Sequence, residues 1–180
     1  MKGNFLKNPG RTKRRLWRVA LHEAGHAVAA AYFLHLPTTI RLFHRGGLCS
    51  PVRSYAVVPA AEMIFTRCGP LAGSLATFPD CNRIPAGRPR FGRARFRRRV
   101  HRRASDKQHV ATIFQSREPL KDAEIAELCR EKWEATALNF VCCRRKLIVD
   151  FATKLYLGGT VFVPARPKDS DWAAEFVAGR

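Results

Sequence analysis

The chain has 180 residues, 46% of them hydrophobic, and a formal charge of +19. That is enough apolar material for one substantial core and too little chain for two independent domains. The longest apolar run, Ala27 to Leu36, is about half of the roughly 20 residues a membrane helix needs and contains His35, so no transmembrane segment is expected.

In chain order, residues 1–12 are polar and basic, contain Pro9 and Gly10, and read as a mobile basic arm. From Lys13 to Leu36, Leu16, Val19, Ala20, Ala27, Ala30, Ala31 and Leu34 recur at helical spacing, and Pro37 ends the helix. Thr38 to Phe43 and Val52 to Val58 have the β-branched and aromatic content of short strands, joined across Gly46 and Gly47 as a small β-hairpin. Ala60 to Phe78 is a second apolar helix, which Gly69 and Pro70 should kink or split, and its small residues call for close packing on the first. Pro79 to Arg103 is a long exposed loop by its Pro, Gly and Arg content. Ser105 caps a helix to about Gln115, a longer helix follows Pro119 to about Lys146, and a last one, Leu147 to Leu157, stops at Gly158 and Gly159. The pattern is mainly α, one domain over 13–159 with 79–103 inserted as an Arg-rich loop, and an extended tail over 160–180.

The charge is local. Arg88 to Arg103 holds nine arginines and no acid, interleaved with Phe91 and Phe96, and leaves +10 for the rest of the chain. Such a stretch neutralises phosphates and stacks aromatics, so nucleic acid, an acidic protein or an anionic lipid surface would each satisfy it. The six cysteines form no CxxC pair or regular framework and read as reduced thiols. The N-terminus has positive charge but no apolar segment followed by a small-residue cleavage site, and a cytoplasmic protein is the expectation.

The chemistry concentrates in Ala20-Leu-His-Glu-Ala-Gly-His-Ala-Val-Ala29. His22 and His26 are four residues apart, which on a helix puts them about 40° apart around the axis and one turn apart along it. Both imidazoles can then reach one ion. Zinc takes such nitrogen ligands, and a catalytic zinc needs a third protein ligand and an open water position. Glu23 falls beside that position, as a general base must. With six His and eight Glu in the chain, a shuffled sequence would produce HExxH about 1% of the time. Apolar neighbours on both sides leave these three polar groups as a stripe on a buried element, where they need partners. Gly25, costly within a helix, would let another backbone approach.

The segment HEAGHAVAA resembles the metal helix of the FtsH-type zinc peptidases and their small stand-alone relatives. In that family a short sheet region follows, then a helix with an AGxxAE-like apolar segment, which MIFTRCGPLAGSLATF partly matches. Next comes an ASxDLxxAT segment whose aspartate is the third zinc ligand. Ala104-Ser-Asp106-Lys-Gln-His-Val-Ala-Thr112 is similar to it and singles out Asp106, which as an acid at a helix start is also favoured by the helix dipole. Asp80, Glu62 and His109 are the alternatives for that position. The chain departs from the family in lacking acids in Leu71 to Phe78 and in having Lys107 and Gln108 after Asp106. It also lacks a GxxxxGK[ST] phosphate loop, so it carries no ATPase motor. The resemblance implies a helical metallopeptidase domain that binds Zn2+ and hydrolyses peptides or unfolded chains. The competing expectation is a non-enzymatic binding module working through the Arg-rich loop. His35 and His44 are read as helix-end and strand-surface residues, and Trp17, Trp133 and Trp172 as core anchors.

Overall fold

A computed structural model describes residues 9–44, 46–51, 59–92 and 123–166. Helix α1 runs Pro9–Ala29 and continues as a wider π-helical turn, Ala30–Leu34. Strands β1 (Thr38–Phe43) and β2 (Gly46–Pro51) follow, then α2 (Pro59–Ser74) with a 3-10 turn at Leu75–Thr77. Helix α3 (Ala123–Cys143), helix α4 (Arg145–Gly158) and strand β3 (Thr160–Val163) complete the described chain.

The architecture is mainly helical with one small antiparallel sheet, in the order β2-β1-β3. Helix α1 lies at the centre, packed by α2, α4 and the sheet, and α3 packs on α2. Leu16, Trp17, Ala20, Leu21, Ala24, Ala27 and Val28 bury almost completely, which is why the helix is apolar nearly all round in its second half. Trp17 is the largest buried side chain among the described residues; its Nε1–H donates to the Cys81 carbonyl at 2.8 Å and its ring meets Tyr156 edge-on at 6.0 Å. A buried indole needs that acceptor.

Several boundaries differ from the sequence reading, each for a local reason. Helix α1 is already formed at Pro9, the first described residue, so residues 9–12, read as part of a mobile basic arm, are helical. Gly69 and Pro70, expected to kink or split the second helix, do not split it: Pro59–Ser74 is one element with Pro70 inside. Strand β2 is Gly46–Pro51, and Val52–Val58, read as the second strand, lie outside the described residues; Thr38 to Phe43 pairs antiparallel with β2, from Thr38 opposite Pro51 to Phe43 opposite Gly46. The two glycines read as the joint are therefore in the ladder. Strand β3 gives the extended tail a fixed start, pairing Thr160 to Val163 with Arg41 to Thr38. Gly159, at φ 77°, makes the left-handed C-cap that turns α4 into it, its N–H bonding to the Leu155 carbonyl at 2.8 Å.

Residues 79–92 form no helix or strand, and their end is tied down by backbone bonds from Arg90 to Tyr156 and from Gly92 to Leu42, both 3.0 Å. Residues 93–122 of the Arg-rich loop and the helix after it lie outside the described residues, as do Trp172 and the rest of the tail from 167. Among the described residues no helix is long and apolar enough to cross a membrane.

Candidate metal centre

His22, Glu23 and His26 sit in the second half of α1 where the sheet and α2 both cover it. Glu23 and His26 are buried, at 8% and 5% exposure, and His22 is half-buried. The two imidazoles are edge-to-face, with ring centres 4.8 Å apart and planes at 83°. A ring ligating zinc has its centre about 3.2 Å from the ion, so two rings on one tetrahedral ion stand about 5 Å apart. The observed spacing fits one shared ion.

The orientation of His26 adds a second test of fit. Its Nδ1 lies 3.0 Å from the carbonyl oxygen of Phe65 on α2, and the Phe65 ring packs at 4.9 Å. A carbonyl only accepts, so Nδ1 carries the proton, and in the neutral ring the lone pair is on Nε2. Metal-binding histidines are held in this way by a second partner on the far nitrogen.

Two glycines shape the walls. A Cβ on Gly69 of α2 would stand 2.5 Å from both Cδ2 and Cε1 of His26 and nearer still to Nε2, which places it over the face of the imidazole. A Cβ on Gly47 of β2 would come within 2.6 Å of Oε1 of Glu23. The backbones of α2 and β2 thus press on the His26 ring and on the Glu23 carboxylate with no side chain between. Behind the site, a Cβ on Gly25 would meet the Ala72 methyl and come within 2.7 Å of the Cys68 carbonyl oxygen, the close backbone approach expected of a glycine there. An open cleft of about 440 Å³ lies between α1, β2 and α2, with His22, Glu23, Gly46 and Gly47 on its walls and Arg15 and Arg18 at one end.

Of the residues proposed for the third ligand, Asp106 and His109 lie outside the described residues. Asp80 is engaged elsewhere, in an ion pair with Arg145 at 2.9 Å. Among the described residues no set of three or more His, Cys, Asp or Glu groups is arranged to hold a metal, so neither Asp80 nor Glu62 completes the pair. His35 closes the π turn in a left-handed conformation, φ 50°, and His44 stacks on Phe91 with ring centres 3.7 Å apart. Both are spent on structure. Of the Arg-rich stretch only 88–92 is described, with Arg88 and Arg90 exposed.

Sequence reasoning took Gly69 only as a kink and Gly47 only as a joint, and gave Phe65, Arg15 and Arg18 no role. A glycine in a strand does signal a close approach, and the Arg15, Arg18, His22 spacing is that of one helix face. The partner of His26 Nδ1 is a backbone carbonyl, for which no residue type is a signal. No family model, curated protein or solved structure matches the chain.

Proposed function

We propose that the chain is a zinc-dependent metallopeptidase that hydrolyses peptide bonds in flexible or unfolded chains, without an ATPase of its own. The observation that carries this reading is the His22 and His26 pair, 4.8 Å between ring centres, with His26 Nδ1 committed to the Phe65 carbonyl and a buried carboxylate, Glu23, on the same stretch of helix. His22 and His26 would hold the ion, with Asp106 as the third protein ligand on the strength of its resemblance to the FtsH-type motif. When bound, zinc polarises the scissile carbonyl and acidifies water.

Glu23 accepts a proton from the attacking water and passes it to the leaving amine, which gives a free carboxylate and a free amine. Its burial against β2 limits its rotamers and so fixes where the proton is received. Strand β2 is at the edge of the sheet and borders the cleft, and among the described residues nothing pairs with its outer side. An extended peptide laid along that edge would gain main-chain hydrogen bonds and pass directly over Glu23. Six free cysteines accord with the cytoplasmic setting we propose.

The test is zinc content by elemental analysis for the wild type and for His22→Ala, His26→Ala and Asp106→Ala, followed by peptide hydrolysis with Glu23→Gln. One zinc per chain, lost in each ligand variant, and hydrolysis lost by at least about a hundredfold in Glu23→Gln with zinc retained, is the expected result. A wild type that takes up no zinc would remove the reading and leave a binding module acting through Arg88 to Arg103.

A further inference from the structure

The two cationic residues that line the cleft, Arg15 and Arg18, have no part in the chemistry proposed for Glu23 and the histidines. They precede His22 by seven and four residues and therefore lie on its face of α1, about 10 and 6 Å along the axis. Both are exposed. The first half of α1 carries Arg11, Lys13, Arg14, Arg15 and Arg18, with no acid before Glu23. This half of the helix is a continuous source of positive charge beside the cleft, and Arg15 and Arg18 are the two of these residues that line it. Facing a cleft, they supply guanidinium donors suited to a carboxylate.

We infer that the cleft selects peptides bearing a carboxylate close to the scissile bond, held by Arg15 and Arg18. The inference rests on the peptidase reading of the same site. An extended peptide advances about 3.3 Å per residue, so a guanidinium about 6 to 10 Å along the helix from His22 reaches a group about two or three residues from the bond that breaks. The carboxylate is an Asp or Glu side chain or the substrate's own C-terminus, since the chemistry recognised is the same.

The experiment uses the zinc-loaded full chain and quenched fluorescent peptides that differ only in Glu for Gln at each of three positions on either side of the central bond. A further pair ends in a free carboxylate or an amide. A Glu or free-acid peptide should be cleaved with kcat/KM about tenfold above its neutral partner, the size of one charge-assisted hydrogen bond, and the ratio should shrink with added salt. In Arg15→Ala/Arg18→Ala the ratio should fall to about one, and Arg15→Glu/Arg18→Glu should turn the preference toward Lys peptides. Preference for Glu at an internal position identifies a side chain as the source, and preference confined to the free-acid member identifies the C-terminus. Equal kcat/KM for every pair overturns the inference while hydrolysis itself stands. If the zinc-loaded protein cleaves none of them, the peptidase reading fails, and fluorescence anisotropy with the same peptides decides the anion site. Tighter binding of the acidic member, lost in Arg15→Ala/Arg18→Ala, upholds that site; equal binding overturns it.

Discussion

The seam between α1 and α2 and the outer side of α3 are built on opposite terms. In the seam, Gly25, Cys68, Gly69 and Ala72 bring two backbones so close that no added methyl fits. On α3, Leu128 and Leu138 stand 68% and 52% exposed, and the helix is tied to α2 by an Arg67–Glu134 ion pair at 2.6 Å and to the core by Phe140 beneath Tyr32 and Phe33. The seam is therefore intolerant and holds the candidate site, whereas α3 is tolerant and covers. Small residues are normally read as weak contributors to burial. Here they carry the tighter contact, because dispersion grows with the number of atoms brought to optimal separation.

The largest effects should come from methyl groups added to the seam. Alanine is a better helix former than glycine by about 1 kcal/mol, so Gly25→Ala would stabilise a free helix. In the protein its methyl meets fixed atoms of Ala72 and Cys68, and overpacking costs about 1–3 kcal/mol. The balance is a loss, read as a lower urea midpoint. Gly69→Ala puts the same methyl over the His26 ring. Its expected signature is a 10- to 100-fold weaker zinc affinity, roughly the cost of disturbing a ligand's support, with a smaller change in midpoint than Gly25→Ala.

Gly47→Ala is gentler, because β2 is an edge strand and can shift. Its methyl strikes the Glu23 carboxylate and neither proposed ligand, so on the peptidase reading kcat for peptides should fall about tenfold while zinc content stays at the wild-type value. Loss of zinc in this variant would show that β2 supports the ligands and not the base.

How much of this was legible in the sequence depends on whether the signal was a residue type or a contact. HExxH predicted a helix carrying His22, Glu23 and His26, and α1 carries them, with the two imidazole rings 4.8 Å apart. The small residues of Ala60 to Phe78 announced close packing, and Gly25 announced the approach of a backbone; both contacts are present. Gly158 and Gly159 marked the end of α4 because a left-handed C-cap favours glycine. Gly46 and Gly47 misled, since a glycine pair between apolar runs is the usual mark of a turn; the proximity of Glu23 explains Gly47 in the ladder, whereas Gly46 faces open space. The Phe65 carbonyl was invisible because every residue has one. Strand β3 was missed because its four residues gain their stability from β1, a partner more than a hundred residues earlier.

On the outer side of α3, substitutions should do little. Leu138→Ser should change stability by no more than about 0.5 kcal/mol, and Arg67→Ala by less than about 1 kcal/mol, since the pair is partly solvated and screened. A change of several kcal/mol from Leu138→Ser would mean that this face is covered in solution.

The mildest perturbation is chemical and asks the same question of both regions at once. Cys68 lies in the seam, fully buried, and burial pushes its thiol far above the ordinary range; burial also raises Cys81, with the nearby Asp80 adding to it. Cys142 and Cys143 are exposed at the end of α3. Alkylation requires the thiolate and access to it. Brief iodoacetamide treatment at pH 8, read by peptide mass spectrometry, should therefore label Cys142 and Cys143 and leave Cys68 and Cys81 unmodified until denaturant is added. Because the folded state disfavours the Cys68 thiolate, its labelling at rising pH should follow unfolding and not titration. Gly25→Ala, which forces the two helices apart at Cys68, should then raise its labelling at denaturant concentrations where the wild type is still protected, and a labelling rate unchanged by that substitution would mean that the seam yields elsewhere.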